Sequence, residues 1–165
     1  MKVRKVLVQK ILLGILLIAL AAGVTVFIKE SLDTQDPESA LPLITVAYND
    51  GEMSAQNVFR AGYTWSFFTT VEVWQAPSIA AEDLPITPVD IQPSTPIKVM
   101  FSSTPSELRI WRAEGRYSSD FLEISCDNPG EFTAPATPGT YLYRIKADWG
   151  SRGDIQYYFA LTVTA

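Results

Sequence analysis

The sequence predicts an all-β domain, an antiparallel β-sandwich of about seven or eight strands, behind one N-terminal transmembrane helix. Three observations predict it. Residues 138–163 alternate in period two on either side of a short polar turn, the pattern of a β-hairpin. Eleven prolines and nine glycines punctuate the chain, as frequent turns require. Residues 11–28 carry no charge and follow a basic leader.

The elements follow in order. Lys2, Arg4, Lys5 and Lys10 precede the uncharged run ILLGILLIALAAGVTVFI. At about 1.5 Å per residue this run covers roughly 27 Å, close to the hydrocarbon core of a bilayer. The chain is therefore expected to meet a membrane through residues 11–28. Basic residues on the leading side place that end in the cytoplasm and the remainder outside. A cleaved secretory signal, with Ala19-Leu20-Ala21 as its small-residue site, and an uncleaved signal anchor both fit. Six apolar or small residues, 23–28, run on past the alanine cluster and favour the anchor. Val24 stands where a lipid-modified cysteine would be, so a lipid anchor is not expected. Residues 29–42, KESLDTQDPESALP, are polar and acidic and are expected to form a weakly ordered linker.

From Leu43 the period changes to two, and residues 43–165 are expected to form the sandwich. Strands are expected at 43–48, at 56–68 with a break at Ala61-Gly62, and at 69–74. Asn49-Asp50-Gly51 is a turn signal. Residues 75–96 contain Pro77, Pro85, Pro88, Pro93 and Pro96, which oppose both helix and central strand. Strands resume at 97–101, with Ile97, Val99 and Phe101 on one face, and at 107–112, with Leu108 and Ile110 opposed to Arg109 and Trp111. Two short strands, 121–125 and 131–133, flank the turn Asp127-Asn128-Pro129-Gly130. In the closing hairpin, Tyr141, Tyr143, Ile145 and Ala147 share the core face and Leu142, Arg144, Lys146 and Asp148 the other. Three unpaired charges would be costly to bury, and this decides which face is inside. Tyr157, Phe159, Leu161 and Val163 form the matching core row of the return strand.

Composition excludes several chemistries. There is no histidine, hence neither the commonest general base nor the commonest metal ligand. The single cysteine, Cys126, allows no intrachain disulfide and no thiolate zinc site, and no basic residue adjoins it to activate the thiol. Residues 1–29 hold five basic groups and no acid. The other eight basic groups and all eighteen acids lie in residues 30–165, a net of −10 there within the chain's −5. So acidic a body is not expected to bind nucleic acid.

Resemblances enter on particular residues. Pro138-Gly139-Thr140-Tyr141 resembles the start of the penultimate strand of immunoglobulin-like domains, which implies a tyrosine corner at Tyr141 and an immunoglobulin-like sandwich. Tyr143 stands where antibody domains place a disulfide cysteine. Gly62-Tyr63-Thr64-Trp65, Phe132-Thr133-Ala134-Pro135, Gly139-Thr140-Tyr141 and the aromatic return strand resemble a family of small secreted or membrane-anchored β-sandwich proteins of Gram-positive bacteria. That family is functionally uncharacterised, so the resemblance implies a fold and an address rather than an activity. Many members carry a cysteine before the tryptophan; here Thr64 precedes Trp65. A fainter similarity, through Pro-Gly-Thr-Tyr alone, is to a β-sandwich proteinase inhibitor of bacilli.

Candidate chemistry is correspondingly thin. Ser94 and Lys98 are spaced wrongly for a Ser-x-x-Lys pair, and the acids stand singly apart from Glu82-Asp83. No metal and no cofactor is expected, and no enzymatic activity. Arg152-Gly153-Asp154 at the hairpin tip is the integrin tripeptide, but turn chemistry accounts for it. Trp65, Phe67, Phe68, Trp74, Trp111 and Tyr117 are the aromatics to place, and most should pack. Trp111 differs, since it shares a strand face with Arg109 opposite Leu108 and Ile110. An exposed tryptophan can stack on a sugar or fill a partner's pocket. The expected function is an extracytoplasmic binding or adaptor domain for an envelope protein or polymer, with Trp111, Trp74, Arg109 and Pro85 as its candidate binding residues. The alternative is a protease inhibitor presenting the proline-rich loop.

Overall fold

The computed structural model describes residues 2–49, 51–67, 70–76, 84–115, 119–126 and 128–164, with side chains from Gln9 onward except that of Ala55. Expectations that fall on Asp50, Phe68, Thr69, Pro77, Glu82-Asp83, Tyr117 and Asp127 lie outside the described residues. The chain divides into two compact units, Met1–Leu41 and Pro42–Ala165.

The first unit is helical. Helix α1 spans Lys2–Gln35, and its part Gln9–Gln35 is long and apolar enough to cross a membrane. The same length and composition suit a signal sequence. The expected weakly ordered linker is instead largely helix. Beyond Lys29 the chain has no glycine or proline until Pro37. Lys29 Nζ lies 2.5 Å from Asp33 Oδ2 one turn on, and Thr34 Oγ1 donates to the Glu30 carbonyl at 2.7 Å. Pro37 then ends the run, because the residue before proline avoids helical backbone angles. Asp36 sits at φ −133°, ψ 76°, and Pro37 opens the short helix α2, Pro37–Ala40.

Among the described residues the second unit is a β-sandwich of eleven strands: β1 Ile44–Tyr48, β2 Gly51–Glu52, β3 Val58–Ser66, β4 Val71–Gln75, β5 Val89–Ile91, β6 Pro96–Phe101, β7 Glu107–Glu114, β8 Leu122–Glu123, β9 Glu131–Thr133, β10 Gly139–Asp148 and β11 Gly153–Val163. The smaller sheet has the order β2-β1-β6-β9 and the larger β4-β3-β11-β10-β7-β8. The count exceeds the expected seven or eight: nine strands answer to the expected runs, including the short β8 and β9, and β2 and β5 are two further short strands that the alternation does not predict. β5 pairs in parallel with the end of β11, so its partner lies some seventy residues on and leaves no local signal (Val89 faces Leu161). The expected break at Ala61-Gly62 is a β-bulge: Gln156 faces Gly62 and Tyr157 faces Arg60, so Ala61 is the extra residue.

The core lies between the two sheets. Val46, Ile97, Val99 and Phe132 come from the smaller sheet, and Ile110, Tyr143, Ile145, Ile155, Phe159 and Leu161 from the larger. Tyr141, Tyr143, Ile145 and Ala147 are all buried, as the alternation requires, and so is the row Tyr157 to Val163. Tyr143 stacks flat on Phe159, with ring centroids 4.8 Å apart, and tilts against Phe132 of the facing sheet at 5.3 Å. At one end Trp149 joins the layers, edge-on to Trp65 at 5.5 Å and to Phe101 at 5.3 Å. Its indole donates to the Ser103 carbonyl at 3.1 Å. The tyrosine corner is present: Tyr141 Oη donates to the Thr137 carbonyl at 2.9 Å.

Burial pushes the Tyr157 phenol up to about 12, against an opposing pull from Arg60, and burial raises Tyr143 further, against Arg112. A phenol that holds its proton longer when folded stabilises the fold fully below the unfolded value near 10. That contribution is lost as pH rises towards the folded value. Thermal melts followed by tyrosine and tryptophan fluorescence should therefore hold a flat Tm up to about pH 10 and fall steeply from there to about pH 12. An unchanged Tm across that window would show that the two phenols are not sealed.

Candidate functional site

The larger sheet has an outer face, turned away from the smaller sheet, and the surface features gather there. Strand register assigns it. Leu142, Arg144 and Lys146 of β10 stand opposite Ala113, Trp111 and Arg109 of β7 and opposite Ala160, Tyr158 and Gln156 of β11.

Part of this face is a second core. Leu142 and Ala160 are fully buried under Leu84 and Ile86, with Phe59, Phe121 and Tyr158 packed around them. Residues 84–86 of the proline-rich segment thus lie down on the sheet, with Leu84 and Ile86 buried and Pro85 between them exposed. Leu142, assigned to the solvent face by its polar neighbours, is buried for this reason.

Arg109 and Trp111 do share the outer face of β7. Arg109 Nε lies 2.6 Å from Glu107 Oε1 and 4.0 Å from Glu123. The Glu107 hydrogen bond and charge, then Glu123, raise its pKa above the ordinary guanidinium value. Trp111 is half-buried. The Arg144 guanidinium lies 4.6 Å from its ring and 4.7 Å from that of Phe121, one cation between two aromatic faces. A shallow depression of about 350 Å³ lies between Glu107, Arg109, Trp111, Lys146 and Asp148.

Trp74 lies elsewhere. It faces Tyr63, whose neighbour across the ladder is the core residue Ile155, so it belongs to the inner face. It stacks on Tyr63 at 6.1 Å and keeps about a third of its surface in water (37 %). The structure therefore brings Arg109 and Trp111 together and leaves Pro85 and Trp74 at separate places.

A larger groove of about 480 Å³ opens on the outer face between β4 and the packed-down segment. Phe59, Phe121 and Tyr158 supply apolar walls, and Gln75, Asp154 and Gln156 supply polar ones. Ala61 and Gly62 of β3 line it between these walls. Gln156 Nε2 donates to Tyr158 Oη at 2.8 Å and sets the pitch of that ring. Tyr158 and Phe121 meet edge to face at 6.1 Å. The Asp154 carboxylate lies 3.6 Å from Lys146 Nζ.

None of these groove residues was a candidate binding residue in the sequence: Asp154 stood out only in the hairpin-tip tripeptide, and Ala61-Gly62 only as a strand break and in a family motif. The alternation Asp154, Gln156, Tyr158 against the core row was visible, but what meets it across the sheet was not. The hairpin-tip tripeptide is consumed by the fold. Arg152 Nη1 donates to the Ser66 carbonyl at 3.1 Å, and Asp154 is paired within β11 opposite Thr64. Among the described residues no three His, Cys, Asp or Glu side chains gather as a metal site needs. No protein-family model, no curated protein and no solved structure matches the chain.

Proposed function

We infer that the protein is a membrane-tethered, extracytoplasmic binding domain without enzymatic activity, and that it holds a stretch of an envelope polymer in the groove over Ala61 and Gly62. One observation carries this reading: the groove combines three aromatic walls with two amides and a carboxylate in an open channel of about 480 Å³. Aromatic faces take the C–H surface of a sugar ring, while planar amide and carboxylate groups take its hydroxyls. Such a site binds without a nucleophile or a base. The apolar N-terminal helix supports the tether, and the basic leader supports an outside location for the sandwich. The inhibitor reading draws less support, since inhibitors present a stiff loop clear of the body and Leu84 and Ile86 are held down.

The test uses the full chain in detergent micelles, co-sedimented with isolated cell-wall polysaccharide. Binding should weaken at least about tenfold in Tyr158→Ala, a loss typical of one stacking contact in a small site. Trp111→Ala, on the neighbouring depression, should leave it within about twofold. Absence of co-sedimentation, or equal binding by Tyr158→Ala, would remove the polymer reading.

A further inference from the structure

We propose that two copies of this chain pair edge to edge through β4, in an antiparallel register centred on Val73, to make one continuous sheet across the dimer. Among the described residues five strands have a partner on one side only. Four of them offer little backbone: β2 and β8 have two residues each, and β5 and β9 three. β4 has five, and among the described residues nothing pairs with its outer side. The usual devices that blunt an edge are missing from it. It contains no proline, no lysine and no bulge, and a single charge, Glu72. Val71 and Val73 stand 58 % and 62 % exposed.

The hydrogen bonds of the β3–β4 hairpin show which backbone groups are on offer. Phe67 N donates to Thr70 O at 2.8 Å and Ala76 N to Ala61 O at 2.8 Å. Register puts Trp65 opposite Glu72 and Tyr63 opposite Trp74. Alternation along an antiparallel ladder then turns the N–H and C=O of Glu72 and Trp74 towards β3, and those of Val71, Val73 and Gln75 outward.

This alternation fixes the register in which a second copy fits. A two-fold centred on Val73 sets Val73 against Val73 and Val71 against Gln75 of the second copy, so every outward-facing group is paired. Glu72 then falls opposite the second copy's Trp74, not opposite its own equivalent. Val71 and Val73 of both copies line up as one apolar strip. A two-fold centred on Glu72 would oppose two carboxylates and pair fewer backbone groups. The strand is therefore self-complementary in one register, as an isologous contact must be. The inference stands apart from what the groove holds.

The test is assembly of the full chain in detergent micelles, by analytical ultracentrifugation. The wild-type chain should dimerise. Val73→Lys and Val73→Glu, which set like charges against each other at the two-fold, should each raise the dimer dissociation constant at least about tenfold. Mixing these two variants should restore the dimer, since the register sets Lys against Glu. Cysteine cross-linking supplies a readout that does not depend on disruption: in a Cys126→Ser background, Val73→Cys should form a disulfide-linked dimer and Val71→Cys should not. A monomeric wild-type chain, a dimer indifferent to both charges, or cross-linking at Val71 in place of Val73 would overturn the proposal.

Discussion

Gly153→Ala should abolish the folded sandwich, with a loss of at least about 4 kcal/mol. A Cβ at Gly153 would lie 1.9 Å from the Thr64 carbonyl oxygen, 2.8 Å from its carbon and 3.1 Å from Trp65 Cα. All three are backbone atoms, and β3 cannot retreat because β4 holds it on the far side. The backbone angles, φ 130° and ψ −167°, belong to a region that only glycine occupies with ease. Gly115→Ala separates the two causes. Gly115 also has positive φ, 86°, but nothing lies within 4 Å of its added carbon. It should cost only about 1 to 2 kcal/mol, the strain alone. Urea unfolding followed by tryptophan fluorescence measures both. A Gly153→Ala protein as stable as Gly115→Ala would mean that the strands do not meet so closely at the hairpin tip.

Phe159→Ala should cost about 3 to 5 kcal/mol. The ring is fully buried midway along β11 and lies face to face with Tyr143, which in turn reaches Phe132 of the opposite sheet. Removing it takes away the middle of the column that joins the layers and leaves a void that neighbouring β-sheet backbone cannot close. Tyr143→Ala in the same background should cost less than it does alone, because the stack is already lost. Purely additive losses in that double-mutant cycle would mean that the two rings pack independently.

Much of this was legible in the sequence because it is local. Period-two alternation assigned both faces of the closing hairpin, and Tyr141 Oη does reach back to Thr137 as the Pro-Gly-Thr-Tyr pattern implies. Ile97, Val99 and Phe101 share one face of β6, and Leu108 and Ile110 oppose Arg109 and Trp111 on β7. The misreadings share a cause. Leu142 sits among charged alternates and so reads as exposed, yet Leu84 and Ile86 arrive from nearly sixty residues away to cover it. Whether Trp111 is open or covered is not a local matter either, and Arg144 of the neighbouring strand lies over its ring. Polarity around Lys29 to Gln35 reads as a loose linker, although helix needs only the absence of a breaker before Pro37.

What the sequence determined by itself was the class of the protein: an apolar N-terminal helix, a run of strands after it, and the inward and outward rows of each strand. These follow from side-chain periodicity, which depends on neighbours two to four residues apart. Only the tertiary structure decided where a partner could bind. The groove over Ala61 and Gly62 draws its lining from six separate stretches of chain, and the bare edge at β4 exists because, among the described residues, no other strand closes that sheet. Such features are set by which distant segments meet, and the energy of those meetings is written in packing rather than in any local pattern.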